Sequence, residues 1–337
     1  MADHAIIVVG ASTGGVEALW TLASGLPPDL AAAVFVVLHT TAQPSVLPDI
    51  LARAGPLPVA LVADGSPIEA GHLYVAPAGH HLLVSREHIH VVEGPRENGF
   101  RPAIDPLFRS AGRAYGPRAI GVILSGMLDD GTAGLLAIKA HGGLAVVQDP
   151  ADAIAPSMPQ SALTFVEVDY TVAITEMGQL LGRLAQERAR QMEDTLMDRE
   201  PALGDDGPLD VVGAQEGIPT CFSCPECNGV LSELREGTLL RFRCQIGHQY
   251  SPRSALAQHT AATQRALSSA LTAVNERGLL LRRLAREAAD RHDYLATRRF
   301  EARAQDVEAR RIQMRGWLDA TDAALDSDDD STAAEPA

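Results

Sequence analysis

The run Ala5-Ile-Ile-Val-Val-Gly-Ala-Ser-Thr-Gly-Gly15 constrains the fold more than any other part of the chain. Its apolar, largely β-branched half reads as a buried strand, the glycine-flanked middle as a tight turn, and Val16-Glu-Ala-Leu-Trp20 as the start of a helix. That order sets Ser12 at the mouth of a helix, where unpaired N–H groups and the positive end of the dipole meet negative charge. Gly10-Ala-Ser-Thr-Gly14 also fits the G-x-S-x-G elbow, which holds a serine hydroxyl clear of a sheet edge. Two plainer readings compete. Ser12 could cap the helix, or the turn could bind the phosphate of a nucleotide. Against the second, the G-x-G-x-x-G order is missing and His39, not an acidic residue, closes the next strand.

The pattern repeats downstream. Ala33–Leu38 is a second apolar run ending at His39, and a helical segment, Ser45–Ala54, follows. Val59–Val62 and His72–Ala76 read as short strands, His81 to Val92 as a hairpin, and Arg101–Tyr115 as a helix. Ala119–Leu124 is a strand, Thr132–Ala140 a helix, Leu144–Val147 a strand and Thr175–Gln191 a helix. Alternation of this kind implies an α/β fold with a doubly wound, mainly parallel, Rossmann-like sheet over residues 1–192. Residues 193–219 are polar and turn-rich and are expected to form a flexible linker. A cysteine-containing module, residues 220–252, and a long helix or helical hairpin, residues 253–321, come next, the latter with a bend at Asp290–Asp293. The acidic residues 322–337 are expected to be disordered.

Composition narrows the function. A formal net charge of −15 argues against a nucleic-acid binder that works by overall electrostatics. No apolar run reaches the ~20 residues that cross a bilayer, and the first residues lack the basic start of a secretory signal. All four cysteines lie between 221 and 244, a spacing that suits metal binding in a reducing cytoplasm better than a disulfide framework.

In a doubly wound sheet, ligands bind beyond the carboxyl ends of the strands. Ser12, His39 and the pair Asp129 and Asp130 each follow a strand, so hydroxyl, imidazole and carboxylate share one edge. Acyl transfer needs this set: a neutral imidazole takes the serine proton, and a carboxylate fixes its tautomer. Backbone N–H groups around Thr13 and the Gly126-Met127 turn are placed to receive an oxyanion. The order Ser…His…Asp differs from that of α/β-hydrolases.

Several stretches, in this order, resemble the catalytic domain of the chemotaxis protein-glutamate methylesterases, the CheB family. They include Gly10–Gly15, the strand ending in His39, Tyr74-Val-Ala-Pro-Ala-Gly-His-His-Leu82 and Arg101-Pro-Ala-Ile-Asp-Pro-Leu-Phe108. Gly121–Leu135, Gly142–Asp149 and Met158-Pro159 complete the set. The resemblance implies Ser12 as nucleophile, His39 as base and Asp130, which directly precedes Gly131, as orienter, with oxyanion donors at the Thr13 and Met127 backbone. It implies hydrolysis of glutamyl methyl esters on a chemoreceptor-like protein with release of methanol, and glutamine deamidation by the same chemistry, with no catalytic cofactor. Two departures stand out: Leu38-His39-Thr40 changes both usual neighbours of the histidine, and Leu128 replaces a glycine. They raise an alternative, a catalytically altered scaffold that binds a signalling partner. Family members in chemotaxis carry a phosphorylated receiver domain ahead of the catalytic one; this chain starts at the catalytic strand, so regulation by a receiver in the same chain is not expected.

Cys224-Pro-Glu-Cys227 and Cys244-Gln-Ile-Gly-His248 have zinc-ribbon spacing, which predicts a structural zinc on Cys224, Cys227, Cys244 and His248. Cys221 is a spare at the same spacing. A module this small folds with its metal. The helical arm is rich in arginine (Arg282, Arg283, Arg286, Arg298, Arg299, Arg310, Arg311), which reads as a solvated face or as a site for a signalling partner.

Overall fold

The computed structural model describes residues 4–39, 45–60, 62–196, 217–236 and 239–328. Seven parallel strands form the main sheet: β1 (Ala5–Ala11), β2 (Ala32–Leu38), β3 (Val59–Ala60), β4 (Leu73–Val75), β7 (Ala119–Ile123), β8 (Leu144–Gln148) and β9 (Tyr170–Val172). Their order is β3-β4-β2-β1-β7-β8-β9. From β1 the chain goes to β2, then to the edge strand β3 and back to β4, and from β7 it winds outward the other way, so the switch point lies between β1 and β7. A small antiparallel hairpin pairs β5 (His81–Val84) with β6 (Ile89–Val92).

β1 is buried along its whole length, which is why its sequence is continuously apolar rather than alternating. Ile7 and Val9 face one core, with Leu19 and Leu22 of α1 (Gly15–Gly25) and Met177 and Leu181 of α6 (Ile174–Leu196). Ile6 and Val8 face the other, with Leu107 and Phe108 of α3 (Ile104–Tyr115), Leu135 and Ile138 of α4 (Thr132–Ala140), and Met158 and Ala162 of α5 (Ser157–Phe165). In α1, α4, α5 and α6 these residues recur at three- and four-residue steps, and in α3 Leu107 and Phe108 lie between Ile104 and Ala111, so each helix presents one apolar stripe to the sheet. Each fully buried side chain contributes roughly 1.5–3 kcal/mol.

Some boundaries move from the sequence expectation. α3 begins only at Ile104, after the extended Ala103, because Arg101, the residue before Pro102, is disfavoured from the helical region. The helix expected from Ser45 begins at Leu47, as α2 (Leu47–Ala54). α5 and β9 have no counterpart in the sequence reading: Pro156 and Pro159 mask the helix, though proline is tolerated in a first turn.

Residues up to Ala255 form one compact unit, and Leu256 onward form a second. The first includes a four-stranded antiparallel sheet of β10 (Ile218–Ser223), β11 (Val230–Glu236), β12 (Leu239–Cys244) and β13 (Gln249–Tyr250). The helical arm consists of α7 (Pro252–Asp290) and α8 (Tyr294–Asp328). Within the second unit, Leu281, Ala304 and Val307 pack together and Arg282 meets Glu308 at 2.9 Å, so the helices form a hairpin. Its turn contains His292 at φ 58°. Of the expected linker, residues 193–196 continue α6, while 197–216 lie outside the described residues. Of the acidic tail, residues 322–328 are helical, a correction to the expectation of disorder, because the backbone of α8 carries through them; 329–337 lie outside the described residues.

Candidate active site and metal centre

Ser12 leaves the carboxyl end of β1. Its N–H donates to the Ser125 carbonyl at 2.9 Å, and its own carbonyl accepts from the Gly15 N–H at 2.8 Å. Gly14, at φ 72°, makes the left-handed step into α1, and α1 has no side-chain cap, so the Ser12 hydroxyl is not spent on capping. His39 leaves the end of the adjacent β2, with its N–H on the Ala11 carbonyl at 3.2 Å. The imidazole lies between two partners: Nδ1 is 3.2 Å from Ser12 Oγ, and Nε2 is 2.7 Å from Asp130 Oδ2. The His39 and Asp130 side chains are only 3% and 2% exposed.

This geometry assigns the proton. Burial works against a charge on Asp130, but the His39 contact and hydrogen bonds from the Ile104 N–H and Asn98 hold its carboxyl down at about 2. An ionised carboxylate only accepts. His39 Nε2 therefore carries the hydrogen, and Nδ1 turns a lone pair toward the Ser12 hydroxyl. Asp130 Oδ2 also accepts from the Ile104 N–H at 2.7 Å, and Oδ1 from Asn98 Nδ2 at 2.9 Å and the Gly131 N–H at 3.0 Å. Asp129 points elsewhere and accepts from the hydroxyls of Ser251 at 2.7 Å and Ser254 at 3.0 Å. Of the two neighbouring aspartates, Asp130 is the one that meets the imidazole.

Two contributors escaped the sequence reading. Phe100 stacks on the His39 ring, centroids 3.7 Å apart and planes within 6°. Asn98, buried at φ 52°, bonds both Asp130 and Asp105. The Asn98-Gly99 pair carries a turn signal in the sequence, but nothing local reveals what the turn touches. Behind it, burial opposes the charge on Glu97, yet the guanidiniums of Arg109 at 2.6 Å and Arg241 at 3.2 Å keep it below the ordinary carboxylate range. Burial pushes Asp105 up to about 7, against the pull of Arg241.

The Ser125–Asp130 loop runs past Ser12. A Cβ on Gly126 would collide with the Met158 sulfur and sit 3.0 Å from Ser12 Cβ, so only glycine lets the loop come this close. Among the described residues, neither the Thr13 nor the Met127 amide is taken up in a turn or ladder hydrogen bond. Leu128 occupies the left-handed region at φ 62°, the conformation that a glycine there would supply without strain.

Cys224, Cys227, Cys244 and His248 form a second cluster, with donor atoms all within 4.8 Å of one another. Cys227 and Cys244 sulfurs are 3.6 Å apart, and His248 Nδ1 is 3.4 Å from the Cys244 sulfur and 3.7 Å from that of Cys224. A tetrahedral zinc with Zn–S bonds of about 2.3 Å requires edges of about 3.7 Å, so the set fits. His248 Nε2 meets Glu226 at 3.4 Å, the outer carboxylate that orients a ligating imidazole. Cys221 is exposed and is not in the cluster.

Residues 7–181 match the family model described as CheB methylesterase. The chain belongs to the CheB methylesterase family. A relative from Leptospira interrogans, named "Putative protein-glutamate methylesterase/protein-glutamine glutaminase", is 36% identical over 191 residues, 56% of this chain and 99% of the relative. The Anaeromyxobacter dehalogenans protein-glutamate methylesterase/protein-glutamine glutaminase 2 is 37% identical over 182 residues, 54% of this chain and 53% of that protein. The crystal structure of the Thermotoga maritima CheB methylesterase catalytic domain is similar at 29% identity and a TM-score of 0.52, covering 54% of this chain and 98% of that one. The CheB match ends before the Cys/His module and the helical arm. Among the described residues no helix is long and apolar enough to cross a membrane.

Proposed function

We propose that this chain is a serine esterase that removes methyl groups from glutamyl esters on a protein, and that it deamidates glutamine at equivalent positions. The observation that carries this reading is the placement of the His39 ring between two partners, Nδ1 3.2 Å from Ser12 Oγ and Nε2 2.7 Å from Asp130 Oδ2, which suits a proton on Nε2 and a lone pair toward Ser12. Ser12 Oγ attacks the ester carbonyl as its proton passes to Nδ1. The Thr13 and Met127 amides receive the oxyanion, and on collapse the C–OCH3 bond breaks and methoxide takes the proton from His39, leaving as methanol. Water then adds to the acyl-enzyme, gives a proton to His39, and Ser12 regains its own. With glutamine, ammonia is the leaving group. The relatives' names, which pair the two activities, point the same way.

Ser12→Ala is expected to abolish methanol release from a glutamyl methyl ester peptide without lowering the melting temperature. Turnover at the wild-type rate by that variant would remove the reading. The second cluster is proposed to hold one structural zinc: its four protein ligands leave no open position for catalysis. Metal analysis of the purified protein is expected to find one zinc per chain, and a metal-free protein with intact module would refute this.

A further inference from the structure

We propose that the segment Gln249–Ser251, anchored by the metal ligand His248, positions the His39–Asp130 pair through Asn98 and Phe100, so that metal occupancy sets catalytic competence. This rests on the readings of Ser12 as nucleophile and of the Cys/His cluster as a metal site.

The connection is continuous in hydrogen bonds. Gln249 follows His248 directly. Its N–H donates to the Arg96 carbonyl at 3.3 Å, and its carbonyl accepts from the Asn98 N–H at 2.7 Å. The Ser251 N–H donates to Asn98 Oδ1 at 3.0 Å. The module thus adds a short parallel bridge to residues 96–98. Asn98 spends its whole side-chain amide on the relay: the oxygen takes the Ser251 N–H, and the nitrogen donates to Asp130 at 2.9 Å and Asp105 at 3.1 Å.

The turn that carries Asn98 also carries Phe100. Glu97 and Phe100 exchange backbone hydrogen bonds of 3.2 and 2.9 Å, with Gly99 at φ 85° between them, so the two side chains move as one piece. Asn98 meets the carboxylate, and Phe100 lies flat on the imidazole. A second tie runs from Ser251 Oγ to Asp129, next in sequence to Asp130. Arg241, 2% exposed, reaches from β12 to Glu97 on the same turn, which fastens the module to the turn from another side. The outer contacts of this turn, from Arg241, Gln249 and Ser251, come from the stretch that the four cluster residues enclose or immediately precede.

A catalytic pair must be held within about half an ångström of its productive geometry. Loss of the metal releases His248, hence Gln249 and Ser251, and leaves the Asn98 turn without its outer partners. The catalytic sheet keeps its own cores, so the expected defect is in alignment, not in folding.

The full chain is stripped with a chelator, metal content is measured, and capture of Ser12 by a fluorophosphonate probe is timed alongside kcat and KM on a glutamyl methyl ester peptide. The rate of capture and kcat are expected to fall tenfold or more in the metal-free protein, with KM little changed, and to recover when zinc is restored. Asn98→Ala, with its zinc retained, is expected to show the same loss. Undiminished capture by the metal-free protein, or by Asn98→Ala, would overturn the relay. Absence of capture by the zinc-loaded wild type would instead overturn the esterase reading on which it rests. A Ser12→Ala control identifies the captured residue.

Discussion

The catalytic sheet and the Cys/His module are stabilised by different means. The sheet is sandwiched between two extensive apolar cores, one on each face. The module has a core of Leu231, Phe242, Tyr250 and Ala255 with two of its own cysteines. Apolar burial of that size is small against the conformational entropy of its strands, the gap that the proposed ligand bonds would fill. Yet the weaker region supplies polar contacts behind the active site, while the stronger one supplies the reacting groups. On the proposed zinc assignment, a module that depends on its metal is therefore placed beside the side chains that hold the His39–Asp130 pair.

Cys244→Ser breaks the comparison most severely. Structural zinc contributes on the order of 10 kcal/mol of binding free energy, all of which is available to fold the module. Limited proteolysis of the variant is expected to cut first between residues 217 and 250, while the catalytic sheet melts within a few degrees of the wild type. A module equally resistant to protease in both proteins would show that its apolar core suffices. Asp130→Asn strikes the other region. It keeps the shape of the side chain but removes the acceptor that selects the Nε2–H tautomer, so kcat is expected to fall about 10⁴-fold. It also alters the pH profile of stability. Because Asp130 has its folded-state pKa lowered to about 2 from 3.8, its contribution is present above about pH 4 and is lost as pH falls through 2. The stability gap between wild type and Asp130→Asn, from urea melts, is expected to close between pH 4 and 2. A gap that widens on acidification would contradict the assigned ionisation.

What each region revealed in its sequence follows from the same contrast. Strands such as Ala5–Ala11 announce themselves because burial on both faces demands an unbroken apolar run. Ser12, His39 and the pair Asp129 and Asp130 are legible because the alternating pattern puts every post-strand loop on one edge, the choice of Asp130 coming from the family resemblance, and the four Cys/His donors because their spacing is that of a zinc ribbon. Arg241, Glu97 and Asp105 are not. In sequence they are indistinguishable from solvated surface charge: Glu97 meets Arg241 beside a bridge between Glu97 and Gln249, and Asp105 accepts from the Gly131 and Gly134 N–H groups, pairings that no local periodicity connects. Asn98 and Phe100 are hidden for the same reason. Asn98 meets Gln249 and Ser251, and Phe100 meets His39, all distant in sequence.

The smallest expected effect concerns left-handed backbone, which both regions use. In the metal knuckle the residue is Asn228, at φ 59°, and asparagine tolerates this conformation. In the loop beside Ser12 it is Leu128, at φ 62°, where a side chain with a Cβ costs about 1–2 kcal/mol. The Leu128 carbonyl accepts from Ser157 Oγ at 3.1 Å, so the turn is held by a neighbour and not by the choice of residue. If backbone conformation alone presents the Met127 amide, Leu128→Gly relieves the strain and keeps kcat within a few-fold, its gain in stability being partly offset by about 0.4–1 kcal/mol of added freedom in the unfolded chain. Leu128→Val retains a Cβ and branches it, and is expected to be less stable than the glycine variant by about 1–2 kcal/mol in denaturant melts. Equal stability of the valine and glycine variants would show that the turn is not strained. A large drop in kcat for glycine would show that the leucine side chain itself shapes the site, which is the one respect in which this loop would differ from its counterpart around the metal.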